Sequence, residues 1–115
     1  MMSRAFLSLL LLVLVVAPAC SSHDREMARH EQVRETYLWE LDASSEDLDA
    51  IHYEMVNKPA GAERRSLELR VRSLRAKLAA ERRAIDMGHF GDDPDGRFKA
   101  IRDELRGMRL TLATL

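Results

Sequence analysis

Phe98, Ile101, Leu105, Met108, Leu112 and Leu115 recur at spacings that alternate three and four without a miss. Such spacing puts all six side chains on one face of a helix. A helix of about 20 residues gains most of its stability by burying a face of this kind against another element. Two further seams supply that element. Val33, Tyr37, Leu41, Ser44, Leu48, Ile51 and Met55 form one. Leu67, Val71, Leu74, Leu78 and Ile85 form the other, with Glu81 occupying one seam position. Three helical seams in a 115-residue chain with only 5% aromatic residues, five glycines and three prolines predict an all-α fold.

The punctuation between the seams sets the predicted elements. The first helix is expected over residues 26–56. Ser44-Ser45-Glu46-Asp47 has the form of a capping box, so this helix either breaks near Ala43 or runs through. The stripe keeps its phase across the site, which favours one helix. Asn57-Lys58-Pro59-Ala60-Gly61 stops it with a turn residue, a proline and a glycine. The second helix is expected over 62–87, ended by Gly88. The third is expected over 94–115, with Asp93 and Pro94 as cap and first helical residue. Gly107 weakens that helix by roughly 1 kcal/mol relative to Ala and permits close approach of a neighbour. A short turn makes the first two helices antiparallel. The predicted architecture is an antiparallel helical hairpin with a third helix packed on it, a small three-helix bundle or coiled-coil-like domain over 26–115.

Charge is divided unevenly. Residues 24–57 hold ten acids and three arginines, and residues 63–87 hold eight bases and four acids. From Asp92 to the end, five acids stand beside five bases. Opposite charges flanking the first two seams favour their pairing, at about 0.2–1 kcal/mol for each exposed pair.

The amino-terminal residues have a different character. One positive charge within residues 1–4 is followed by residues 5–16, all apolar except Ser8, and then by Ala17-Pro18-Ala19 and Cys20. Charged, apolar and small in that order is the pattern of a secretory signal. The apolar run falls short of the roughly 20 residues a spanning helix needs. The segment resembles the signal of bacterial lipoproteins, with Val16-Ala17-Pro18-Ala19-Cys20 at the lipobox position. Ala19 and Cys20 match that pattern, while Ala17 stands where a leucine is usual. The resemblance covers residues 1–22. It implies cleavage after residue 19, acylation of Cys20 by lipid chains such as palmitate, and a tether over 20–25. It also implies attachment to a bacterial membrane facing the periplasm, with Ser21 resembling lipoproteins sent to an outer membrane where one exists. Ordinary cleavage after Ala17-Pro18-Ala19, leaving Cys20 free in a soluble chain, is the other reading. A lone cysteine makes no internal disulfide.

The remaining candidate sites are weaker. Asp92, Asp93 and Asp95 before Gly96 have the look of a calcium loop. Aligning Gly96 with that loop's glycine puts Gly91 at the first ligand and Arg102 where a bidentate glutamate is required. A turn and a helix cap account for these residues better. His23, His30, His52 and His89 include no pair at helical metal-binding spacing. Glu26 and His30, four apart, could share a metal only with a partner chain. No metal or cofactor is expected. The basic run Arg64, Arg65, Arg70, Arg72, Arg75, Lys77, Arg82 and Arg83 finds its nearest partner in the acidic first helix. Anionic lipid or glycan comes next, and nucleic acid is not expected. Trp39 lies about 200° around the helix from Tyr37, on a second face shared with Ala43, Ala50 and Tyr53. Either the third helix covers this face, or it is an exposed aromatic anchor, where Trp and Tyr are enriched.

No nucleophile–histidine arrangement, phosphate loop or metal tetrad occurs, so no enzyme is expected. Two functions remain. The first is a lipid-anchored structural or interaction module with an envelope partner or a second copy of itself. The second is a periplasmic metal- or stress-responsive binder. Leu74-Arg75-Ala76-Lys77-Leu78 and the Asp-Pro break resemble small exported helical hairpins of the heavy-metal-resistance and stress-chaperone families, although the Leu-Thr-x-x-Gln repeat of the latter does not occur.

Overall fold

The computed structural model describes the backbone from residue 4 and the side chains from residue 22 through to residue 115. The signal segment and Cys20 therefore lie outside the described side chains. Three helices follow one another: α1, Arg4–Val56; α2, Ala62–Asp86; and α3, Pro94–Thr114. Among the described residues there is no strand, and no helix long and apolar enough to cross a membrane. The domain is the all-α, three-helix arrangement the seams predict. Residues 22–25, expected as a tether, continue α1. Helix α1 also runs unbroken past Ala43. Ser44 is buried in the seam rather than capping a new helix.

Two compact units divide the chain, Met1–Val33 and Arg34–Leu115. In the first, the side chains of residues 22–32 are exposed. The second is the bundle. Its core consists of the seam residues: Leu41, Leu48, Ile51 and Met55 from α1, Leu67, Val71, Leu74, Leu78 and Ile85 from α2, and Phe98, Ile101, Leu105, Met108 and Leu112 from α3. Tyr37, Leu38, Phe90 and Leu115 pack against it partly buried. Each fully buried aliphatic side chain contributes about 1.5–3 kcal/mol, so the core outweighs the surface charges in holding the helices together.

Ion pairs reveal the helix directions. Asp42 pairs with Arg82, and Asp49 with Arg75 at 3.1 Å, so α1 and α2 run antiparallel. Glu81 pairs with Arg97 at 2.8 Å and Glu104 with Lys77 at 3.7 Å, so α2 and α3 are antiparallel too. Glu40 pairs with Arg102 at 2.8 Å and Asp47 with Arg109. These partners are seven residues apart on both helices, which makes α1 and α3 parallel. The expected pairing of acidic α1 with basic α2 is present, and α3 joins it. Its balanced count included Asp92 and Asp93, which precede the helix. Within Pro94–Thr114 five bases outnumber three acids.

The connections explain the helix ends. At the α1 end, Asn57 and Lys58 N–H groups bond the carbonyls of Glu54 and Met55. Arg64 then donates to the Lys58 carbonyl at 2.8 Å, tying the turn to α2. Helix α2 closes with a Schellman motif: Gly88, at φ 75°, donates to Ile85 at 2.9 Å, and His89 donates to Ala84 at 2.8 Å. At the start of α3 the Asp93 side chain accepts from Gly96 N–H at 3.1 Å, with Pro94 in the first turn. The acidic cluster is thus a turn and cap, as its sequence suggested.

Candidate interaction face

Helix α1 carries a second stripe beside its core seam. Trp39, Ala43, Glu46, Ala50 and Tyr53 follow one another at spacings of four and three, so they share one face for about 21 Å of helix. All five are exposed. Trp39 is 71% exposed and Tyr53 73% exposed. The expectation that α3 covers this face is corrected: α3 borders it instead. An open groove of about 740 Å³ runs between the two helices, with Trp39, Ala43 and Ala50 on the α1 wall and Leu105 and Arg106 on the α3 wall. Leu105 and Ser44 turn into the bundle interior at this groove. The alanines keep the α1 wall low, which is why α1 and α3 leave a trough rather than a ridge.

The charges of the groove fall into two groups. Glu40–Arg102 and Asp47–Arg109 tie the walls to each other. Glu46 and Arg106, both exposed, also line the groove. Neither has an ion-pair partner within 4 Å among the described residues.

The other predicted positions lie elsewhere. His52 Nδ1 sits 3.3 Å from Arg75 Nη2. A guanidinium only donates, so Nδ1 is the acceptor and His52 is held as a structural partner on the α1–α2 edge. His89 is exposed and its backbone caps α2. His23, Glu26, Met27, His30 and Glu31 border a shallow cleft on the first unit's helix. Among the described residues no three His, Cys, Asp or Glu side chains are grouped to hold a metal. In the basic run, Arg64, Arg75, Lys77 and Arg82 form ion pairs, and Arg70 donates to Thr111 Oγ1 at 3.3 Å. Five of the eight are therefore engaged by partners within the chain, most of them at its surface.

Sequence reasoning missed the junction built around Arg97. Its guanidinium donates to Glu81 and to the backbone carbonyls of Phe90 and Asp92. The polar residue in an otherwise apolar seam was the available signal. Across the same end of the bundle Tyr37 meets Phe90 edge-on at 5.4 Å and Phe98 at 5.2 Å. Burial is the main force holding the Tyr37 phenol above its usual pKa, Asp95 adds to it, and Arg97 opposes it.

No protein-family model, curated protein or solved structure matches this chain.

Proposed function

We propose that this chain is a small lipid-anchored protein of the bacterial cell envelope, held to a periplasm-facing membrane surface through acylated Cys20, and that its bundle serves as a non-enzymatic interaction module. The observation that carries the interaction half is Trp39. A tryptophan 71% exposed beside an alanine-lined groove leaves a large apolar surface in water, and tryptophans in such settings dominate binding energy when a partner covers them. Ion pairs cross all three helix edges; the α1–α3 edge differs in carrying the exposed Trp39 beside a groove of about 740 Å³. The charged, apolar, small order ending at Cys20 supports the anchor.

The intact mass of the protein from membranes of its host tests the anchor. A mass of residues 20–115 plus acyl chains, lost with Cys20→Ala, is expected. An unmodified mature chain in the soluble fraction would sink it. For the module, a photo-crosslinking residue at position 43 in living cells is expected to capture a protein partner, with at least tenfold less capture in a Trp39→Ala background. Capture that ignores Trp39 would remove the face from consideration.

A further inference from the structure

We propose that the α1–α3 groove is filled by α1 of a second copy of this chain, the two α1 helices lying antiparallel across a two-fold axis beside Glu46. This inference rests on reading the Trp39 face as an interaction surface and names its partner; it points the two α1 amino ends in opposite directions, so both anchors meet one membrane only with the pair lying along it.

The stripe itself is close to self-complementary. Trp39 and Tyr53 lie seven residues either side of Glu46, and Ala43 and Ala50 lie three and four residues either side. Turned end for end about Glu46, the stripe places Trp39 opposite Tyr53 of the other copy and Ala43 within one residue of the level of Ala50. A symmetric pair needs a patch of this kind, because one surface must serve both sides of an isologous contact. Small residues between two aromatic ends let the backbones approach closely in the middle, while the rings cover the ends. Each α1 then becomes the fourth helix for the other bundle.

The charges fit the same arrangement. Glu40–Arg102 and Asp47–Arg109 both pair residues 62 apart in number, so Arg106 stands level with Ser44. In the antiparallel pair that level faces residue 48 of the other copy, two residues, or about 3 Å of rise, from its Glu46. An arginine side chain spans that distance. In the proposed pair Arg106 of each copy lies within about 3 Å of rise of Glu46 of the other, the same rise that separates it from its own Glu46, so the two carboxylates near the axis have two guanidinium groups beside them. Glu46 and Arg106 are the groove charges that the ion pairs across its walls leave over.

Cysteine crosslinking in living cells, with two differently tagged full-length chains, tests the arrangement. Ala43→Cys in one and Ala50→Cys in the other are expected to join through a short thiol crosslinker. Either variant expressed alone is expected to join at least tenfold less, and the parent chain sets the contribution of Cys20. Arg106→Glu is expected to reduce the mixed product at least fivefold, and Arg106→Glu combined with Glu46→Arg to restore it. Equal crosslinking by Ala43→Cys alone would mean a parallel pair and would overturn the proposal. No crosslink in any combination, with circular dichroism showing native helix, would overturn it as well. Trp39-dependent capture of a different protein would then still uphold the interaction module, so the two ideas fail separately.

Discussion

Arg97 Nε lies 2.8 Å from Glu81 Oε1, and the same guanidinium reaches the carbonyls of Phe90 and Asp92. One arginine on α3 therefore satisfies the charged residue that interrupts the α2 seam and gathers the loop between the two helices. The Glu81 side chain is 18% exposed, so it sits between a buried and a surface pair. Glu81→Gln is expected to lower stability by about 1–2 kcal/mol, because a charge-assisted bond is lost near the core edge. A double-mutant cycle with Arg97→Lys is expected to show coupling, and urea denaturation measures it. Additive effects would mean that the pair acts as an ordinary surface contact.

Two glycines of α3 are expected to respond differently to alanine. A Cβ on Gly107 meets only the Nη2 end of Arg70 at 3.3 Å, a flexible neighbour that can move by a few tenths of an ångström. Gly107→Ala is expected to raise stability by about 0.5–1 kcal/mol through helix propensity. A Cβ on Gly96 would overlap the Asp93 carboxylate that caps the helix. Gly96→Ala is expected to lose about 1 kcal/mol of capping, leaving no net gain. Thermal melts of the two variants give the comparison.

Gly61 precedes α2 as its N-cap, with extended backbone, no side-chain cap and nothing within 4 Å of an added Cβ. Gly61→Asp supplies the missing acceptor and stiffens the unfolded chain. An increase of about 0.5–1 kcal/mol is expected in chemical denaturation.

Tyr37 is expected to make stability fall at alkaline pH. Its folded pKa is raised above 10.0, first by burial and then by Asp95. A raised pKa means that the folded state holds the proton more tightly than the unfolded state. The resulting stabilisation is complete below the unfolded value near 10 and is lost as pH rises through the folded value. In a Tyr53→Phe background, where Tyr37 is the only tyrosine, tyrosinate absorbance is expected to rise at higher pH in native than in denatured protein. Coincident titrations would remove the effect.

The two faces of α1 are expected to differ in what they support. At concentrations where the chain is monomeric, Trp39→Ala is expected to change folding stability by less than about 0.5 kcal/mol, since the side chain is 71% exposed. Leu48→Ala, on the core seam and 1% exposed, is expected to cost about 2–5 kcal/mol. Denaturation of the two variants separates a binding face from a structural one. A large loss with Trp39→Ala would mean that the ring supports the bundle.

Much of the bundle was legible in one dimension because a buried helical face repeats with the pitch of the helix. All of Leu67, Val71, Leu74, Leu78 and Ile85, and Phe98 through Leu112 on the third seam, are buried as their spacing required. The stops were equally readable, since Gly88 and Asp93 act through backbone geometry that depends on neighbours close in sequence. The capping box at Ser44 was the ambiguous local signal. It was overruled by burial, which a capping pattern does not record.

Which helix faces which, and what lies between them, required three dimensions. Glu40 and Arg102 are far apart in sequence, and nothing local says that they meet; they do so because α3 packs parallel to α1 at a particular register. The same packing leaves Trp39 in solvent, though its spacing was equally compatible with burial under α3. The three helices, their ends at the two connections and their apolar faces were set by local chemistry and the helical repeat, whereas the start of α1 was not: residues 22–25 continue it. Packing chose the partners of Arg97, the ion pairs across the three helix edges and the groove beside Trp39, because a helix with two usable faces can satisfy its core with one, and only packing selects which.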